Sequence, residues 1–166
     1  MEKDAFQTLK EACKRACHER HACANGYKQM LASGNVSQMM ATWRDNWEDV
    51  VESKFADIIR AELPKQYPAL KQEMNQAGVY LNECPEKAPV FVRVIITDCA
   101  TPIHIYDKAQ AYIIGEATVV AHGHSQVYNN KYNAVITLHD HAYGNIQAGT
   151  AQAFDHSVLK NYKPQL

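Results

Sequence analysis

The sequence predicts an α+β protein: an N-terminal helical bundle or cap, then a short β-solenoid of about eight residues per strand unit and about sixteen per coil. The first observation behind this is a short internal period. From Cys99 to Tyr162 the chain divides into eight units of eight residues, beginning at Cys99, Asp107, Gly115, Gly123, Lys131, His139, Gln147 and Asp155. Their fifth positions, Ile103, Ala111, Val119, Val127, Val135, Tyr143, Ala151 and Leu159, are apolar without exception in a chain that is 46% hydrophobic. The third positions, Thr101, Ala109, Ala117, Ser125, Asn133, His141, Gly149 and Ser157, are mostly small, as a narrow interior beside a turn requires. The second observation is that outward sites match better at sixteen than at eight: Gln110 with Gln126, Tyr112 with Tyr128, Thr118 with Thr150, Val120 with Ile136. The third is that residues before about 83 lack this period and carry helical spacing instead.

An eight-residue unit holds one strand of about five residues and a tight turn, with alternate side chains inward. Third, fifth and seventh positions then line the core. Two unlike faces that alternate give two strands per coil, stacked so that equivalent residues form ladders. An antiparallel meander also alternates its faces. The turns, at Asp107, Gly115, Gly123 and Lys131, lack the Asn-Gly or Asp-Gly pairs of two-residue hairpins, which favours the solenoid.

In chain order, residues 4–24 place Phe6, Leu9, Cys13 and Cys17 near one stripe of a helix that Gly26 is expected to end. A short helical stretch over 27–32 precedes Gly34, and Asn35 with Gln38 three residues on reads as the cap of the next helix. That helix carries Met39 or Met40, Trp43, Trp47 and Val50 or Val51 on one face, so both tryptophans read as bundle core. Phe55, Ile58, Ile59 and Leu63 continue the pattern to Pro64, and a further helix is expected over 68–76, ending before Gly78. Val90 to Thr97 reads as a strand. The domain division follows as a helical region, 1–83, and a repeat region, 84–166, with the helices expected to cover the otherwise open apolar end of the solenoid. Lys160, Lys163 and Pro164 are residues that blunt the other end.

The formal charge of −1 and the balance within each half, eleven basic and eleven acidic side chains up to residue 80 and six and seven beyond it, argue against a nucleic-acid binder. The N-terminus has no apolar signal-peptide core and no stretch approaches a membrane span, which gives the expectation of a cytoplasmic protein without membrane contact. Five cysteines, three of them crowded at Cys13, Cys17 and Cys23, fit a reducing compartment. A G-x-S-x-G elbow, a phosphate-binding Gly-rich loop and an H-E-x-x-H pair are all missing. The expectation is a non-catalytic protein without a cofactor.

Three groups of residues could carry function. Tyr112 and Tyr128, sixteen apart, fall on one face, and tyrosine is a frequent interface anchor; the same pair could instead cover sheet surface. In the repeat, His124, Asp140 and His156 would stack on one edge with His139 and Asp155 beside them. Imidazoles and carboxylates so arranged could hold a divalent metal or form a proton-sensitive rim, though turns are also where polar side chains belong in any solenoid. Cys13, Cys17, His21 and Cys23 put thiols and imidazole at helical steps, an alternative metal set weighed against plain buried thiols.

Two passages resemble small uncharacterised proteins of Bacteroidetes phages and mobile elements. One is Ala22-Cys23-Ala24-Asn25-Gly26-Tyr27 followed by the Trp-bearing stretch Met39 to Trp47; the other is Gly78-Val79-Tyr80-Leu81-Asn82 leading into Asp107-Lys108-Ala109-Gln110-Ala111-Tyr112 and Gly115-Glu116-Ala117-Thr118-Val119. The resemblance covers roughly residues 20–160 and departs from the most regular relatives at 131–133 and 139–141. It implies a phage or mobile-element origin and carries over no site residue. Three functional expectations stand beside it. The leading one is a protein-binding protein that acts on a host or phage protein, including inhibition of a host defence protein. The others are a structural accessory that self-assembles through a solenoid end or face, and a metal- or small-ligand-binding protein using the histidine edge.

Overall fold

The computed structural model describes residues 4–20, 24–51, 53–88 and 91–164. It forms two compact units, Met1–Val79 and Tyr80–Leu166. The first is helical: α1 (Ala5–Arg20), α2 (Ala24–Ala32), α3 (Val36–Asp45), α4 (Trp47–Val51) and α5 (Ser53–Gln76). Leu9, Ala12, Cys13 and Ala16 of α1 are buried at three-to-four spacing, and α1 packs along α5, whose Ala56, Ile59, Leu63, Leu70 and Met74 form the facing stripe. Trp43 and Trp47 are 1% and 6% exposed, and Trp43 meets Phe55 edge to face at 6.4 Å. Both tryptophans are core. The Asn35 cap is present, its Oδ1 accepting the Gln38 amide at 2.9 Å, while Gln38 Oε1 reaches back to the Gly34 amide at 2.7 Å.

Two helix boundaries differ from expectation. Gly26 does not end a helix but sits inside α2, and Pro64 and Pro68 interrupt nothing, since α5 runs through both. The two prolines lie four residues apart on the exposed face, and the opposite stripe of buried residues holds the helix together.

The second unit contains two sheets. One has strand order β1 (Val79–Leu81), β2 (Arg93–Ile96), β4 (Gln110–Ile113), β6 (Gln126–Asn129), β8 (Tyr143–Ile146) and β10 (Val158–Lys160). The other has β3 (Cys99–Ile105), β5 (Ala117–Ala121), β7 (Val135–Leu138) and β9 (Thr150–Ala153). The predicted strand reaching back to Val90 is shorter at its start; Val90 itself lies outside the described residues. Every described pairing from β2 onward is parallel, between alternate strands, which is a flattened β-solenoid of about five turns and excludes the meander. Ile103, Val119, Ile136 and Ala151 ladder inward from one sheet, and Ala111, Val127 and Gly144 from the other.

The eight-residue register fails in the middle of the repeat. Val135 was expected inward with Val119, but it is 52% exposed; Val119 pairs with Ile136, which is 1% exposed. Ile136 is therefore not an outward match for Val120. Likewise Tyr143 faces outward and Gly144 occupies the core site above Val127. The small positions Asn133 and His141 are exposed, and Ala134 and Ala142 fill that role. Leu159, on the last strand, is only half-buried.

The cause is the turn after β6. Asn129 points into the core at 1% exposure, and its Nδ2 donates to the carbonyls of Tyr132 and Ala148, both at 2.9 Å, while its Oδ1 accepts the Tyr132 amide at 3.1 Å. The wider turn so closed shifts β7 by one residue, and one residue reverses the facing of a whole strand. The turn after β8 is correspondingly short, so that Ile136 pairs with Ala151 and the original phase returns. Gly149 makes that tight turn feasible: at φ 79° it lies where a Cβ would fall 2.3 Å from the Ala134 carbonyl oxygen.

Candidate binding face

Parallel stacking places equivalent side chains of successive coils about one interstrand spacing apart, about 4.8 Å, so any residue type repeated at the coil length becomes a column. On the outer face of the six-stranded sheet this gives two columns. Tyr112 pairs with Tyr128, and their rings lie 4.8 Å apart and 9° from parallel, each half-buried. The predicted pair is thus brought together. Beside it run Arg93, Gln110 and Gln126, in register across β2, β4 and β6. The Arg93 guanidinium donates to Gln110 Oε1, Gln110 Nε2 donates to Gln126 Oε1 at 3.1 Å, and the Tyr128 hydroxyl donates to the same Gln126 oxygen at 2.7 Å. The Tyr112 hydroxyl approaches Gln110 Oε1 at 3.4 Å. Partial burial, then neighbouring Tyr143, pushes the Tyr128 phenol above its ordinary pKa, with Arg93 opposing, so Tyr128 remains a donor. Both rings are therefore held by stacking and through their hydroxyls.

One corner of the solenoid repeats a four-residue motif: Tyr106-Asp107-Lys108-Ala109, His122-Gly123-His124-Ser125, His139-Asp140-His141-Ala142 and Phe154-Asp155-His156-Ser157. The second residue of each adopts positive φ, 54° at Asp107, 64° at Gly123, and 56° at Asp140 and Asp155. Asp and Gly are residues that tolerate this conformation. The amide of the fourth residue bonds the carbonyl of the first in each turn. Two aromatic columns result. His104, Tyr106, His122, His139 and Phe154 form one, with neighbouring rings stacked 5.2–6.0 Å apart. His124, His141 and His156 form the other, at 5.0 and 5.2 Å. Between them Asp140 Oδ2 accepts the Gly123 amide at 2.9 Å and Asp155 Oδ2 accepts the Asp140 amide at 3.1 Å.

This arrangement corrects the expected edge. His124 stacks on His141, not on Asp140; Asp140 belongs to the carboxylate column and is engaged with backbone; His139 belongs to the other aromatic column, 3.7 Å from Asp155. The proposed metal set His124, His139, Asp140 and His156 is thus spread over three columns, and among the described residues no group of three or more His, Cys, Asp or Glu side chains converges as a metal would require. Of the alternative set, His21 and Cys23 lie outside the described residues. Cys13 and Cys17 are buried, and burial first, then the neighbouring Cys17, pushes the Cys13 thiol far up, which suits a structural thiol and not a reactive one.

Arg93 and His104 were not singled out from sequence, and the histidine group of the repeat, which includes His122 and His141, was not resolved into its columns. Aligning the four corner tetrapeptides directly, without a fixed eight-residue frame, would have revealed the histidine columns. Arg93 had no such signal, because its coil precedes the visible repeat.

Among the described residues no helix is long and apolar enough to cross a membrane. Comparison with protein-family models, curated proteins and solved structures gives no match to this chain.

Proposed function

We propose that this protein is a non-catalytic binding protein that engages another protein through the outer face of the six-stranded sheet, with Tyr112 and Tyr128 as anchors. The observation that carries this reading is the parallel tyrosine pair, whose rings are 4.8 Å apart and whose hydroxyls are tied to Gln110 and Gln126. Side chains already fixed lose little rotamer freedom on association, and tyrosine offers both apolar area and a polar tip. The resemblance to phage and mobile-element proteins supports a host protein as the target, including one of host defence, and a cytoplasmic site of action. A rigid sheet with preset side chains suits stoichiometric binding.

The test is a comparative capture. Tyr112→Ala combined with Tyr128→Ala should leave the melting curve cooperative and weaken a partner held by the wild type by at least about 30-fold, the equivalent of about 2 kcal/mol for a single anchor. Retention of that partner by the folded double variant would remove the tyrosines from the interface. A second reading, self-assembly, has its own observation: at the last coil β9 and β10 each have one unpaired edge, and Phe154 and Val158 are 46% and 48% exposed. Sedimentation of the purified protein separates the two, since self-assembly through this end gives a concentration-dependent mass.

A further inference from the structure

An open groove of about 550 Å³ lies beside the tyrosine pair, lined by Phe91, Arg93, Lys108, Gln110, His124 and Gln126. Its chemistry is one-sided. Two lining residues are permanent cations, a third is an imidazole, and no carboxylate is present, in a chain whose overall charge is −1. The acceptors are already used: Gln110 Oε1 takes the Arg93 guanidinium and Gln126 Oε1 takes both Gln110 Nε2 and the Tyr128 hydroxyl. What the groove offers a visitor is positive charge and N–H donors, so a complementary ligand brings negative charge and acceptors.

The groove also has an apolar feature. Phe91 is 64% exposed and sits at φ 77°, a left-handed conformation that is strained for a bulky residue. An exposed ring held under such strain beside two cations fits a ligand with an apolar group next to its acids. Nucleic acid does not match, because three basic groups are too few for a phosphate backbone.

We infer that this groove receives an acidic segment of the partner protein, its carboxylates on Arg93, Lys108 and His124 and an apolar side chain on Phe91. The inference rests on the protein-binding reading and names the chemistry of the partner. The probe is a fluorescein-labelled peptide of glutamates around one phenylalanine, read by anisotropy against the full chain, with polyglutamate and a heparin oligosaccharide as parallel ligands. Wild type should bind the phenylalanine-bearing peptide most tightly, with affinity falling as salt rises. Lys108→Glu with His124→Glu should weaken it at least about tenfold, while Lys14→Glu with Lys28→Glu, a charge change at least as large on the helical unit, should leave it unaltered. Lys108→Ala alone, at an exposed turn position, serves should the double reversal fail to fold, and should weaken binding in the same direction. No peptide binding, equal losses in both reversals, or preference for heparin would overturn the acidic-segment inference. The tyrosine test stands apart from it: loss of the captured partner in the Tyr112→Ala, Tyr128→Ala variant with no peptide binding in wild type sinks the groove and keeps the face. The reverse pattern sinks the face and keeps the groove.

Discussion

Ile136→Ala and Val135→Ala, made separately, ask which of two adjacent residues faces the core. Ile136 is 1% exposed and stacked between Val119 and Ala151, while Val135 is 52% exposed and paired with outward Thr118 and Thr150. Removing a buried isoleucine to alanine costs about 2–5 kcal/mol, the transfer loss plus the cavity left behind. Here the expected cost is about 3 kcal/mol, because Ala151 above the site offers no bulk that could move into the void. An exposed valine to alanine costs about 0.5 kcal/mol, rising toward about 1 through strand preference. For a unit of this size each kcal/mol shifts the melting temperature by about 4–8 °C, so Ile136→Ala should melt more than about 10 °C below wild type and Val135→Ala within a few degrees of it. Urea titration followed by circular dichroism gives the same comparison at constant temperature. If Val135→Ala is the more damaging variant, the strict eight-residue period runs through β7 and the register described here is wrong.

The turn after β6 should fail when its internal polar group is lost. Asn129→Leu removes the side-chain partner of the Tyr132 amide and of the Ala148 carbonyl, while the Tyr132 carbonyl keeps the Ala134 amide; the cost is about 1–3 kcal/mol for each group that water cannot reach, and a fall in the urea midpoint with loss of hydrogen-exchange protection at Tyr132 checks it. Acid should weaken the solenoid through His122. Partial burial first, then the charges of His104 and His139, hold its pKa below the ordinary 6.5, with Asp140 opposing, and Tyr106 and His104 face its ring, His104 Nδ1 lying 3.1 Å from its Nε2. The unfolded chain thus takes up the proton more readily, so stability is full above pH 6.5 and declines as pH falls from there through the folded-state value. Urea midpoints measured between pH 7.5 and 5 should fall for wild type and fall less for His122→Gln; equal slopes would remove His122 as the cause.

The solenoid was legible because one corner never varies. Across it, Ile103 to Ala111, Val119 to Val127, Ile136 to Gly144 and Ala151 to Leu159 are each eight residues apart, fixed by the turn with its positive-φ Asp or Gly. All the variation lies at the other corner, where Val127 to Ile136 is nine and Gly144 to Ala151 is seven. The extra residue and the missing one cancel, so the phase lost at β7 is regained at β9, and the apolar character of Val135 and Tyr143 hid the slip. Ala134 and Ala142, small residues one position late, were the available sign of it. The tyrosine pair was readable because both residues lie on the coil spacing before the slip. The groove was not, since Phe91 and Arg93 reach it from a segment with no repeat to place them. In the helices, proline read as a stop, but propensity yields to a continuous buried stripe when the proline faces water.

The most direct test of the binding face is site-specific photo-crosslinking in the cells that carry the protein. A benzophenone side chain placed at Tyr143, which lies outward on the six-stranded sheet beside Tyr128, is compared with the same group at Thr137, outward on the four-stranded sheet. One discrete protein adduct from position 143 and none from 137, with the adduct lost when Tyr112→Ala and Tyr128→Ala are added, is the predicted result. The same adduct from 137 with none from 143, or an adduct that survives loss of both tyrosines, would contradict it.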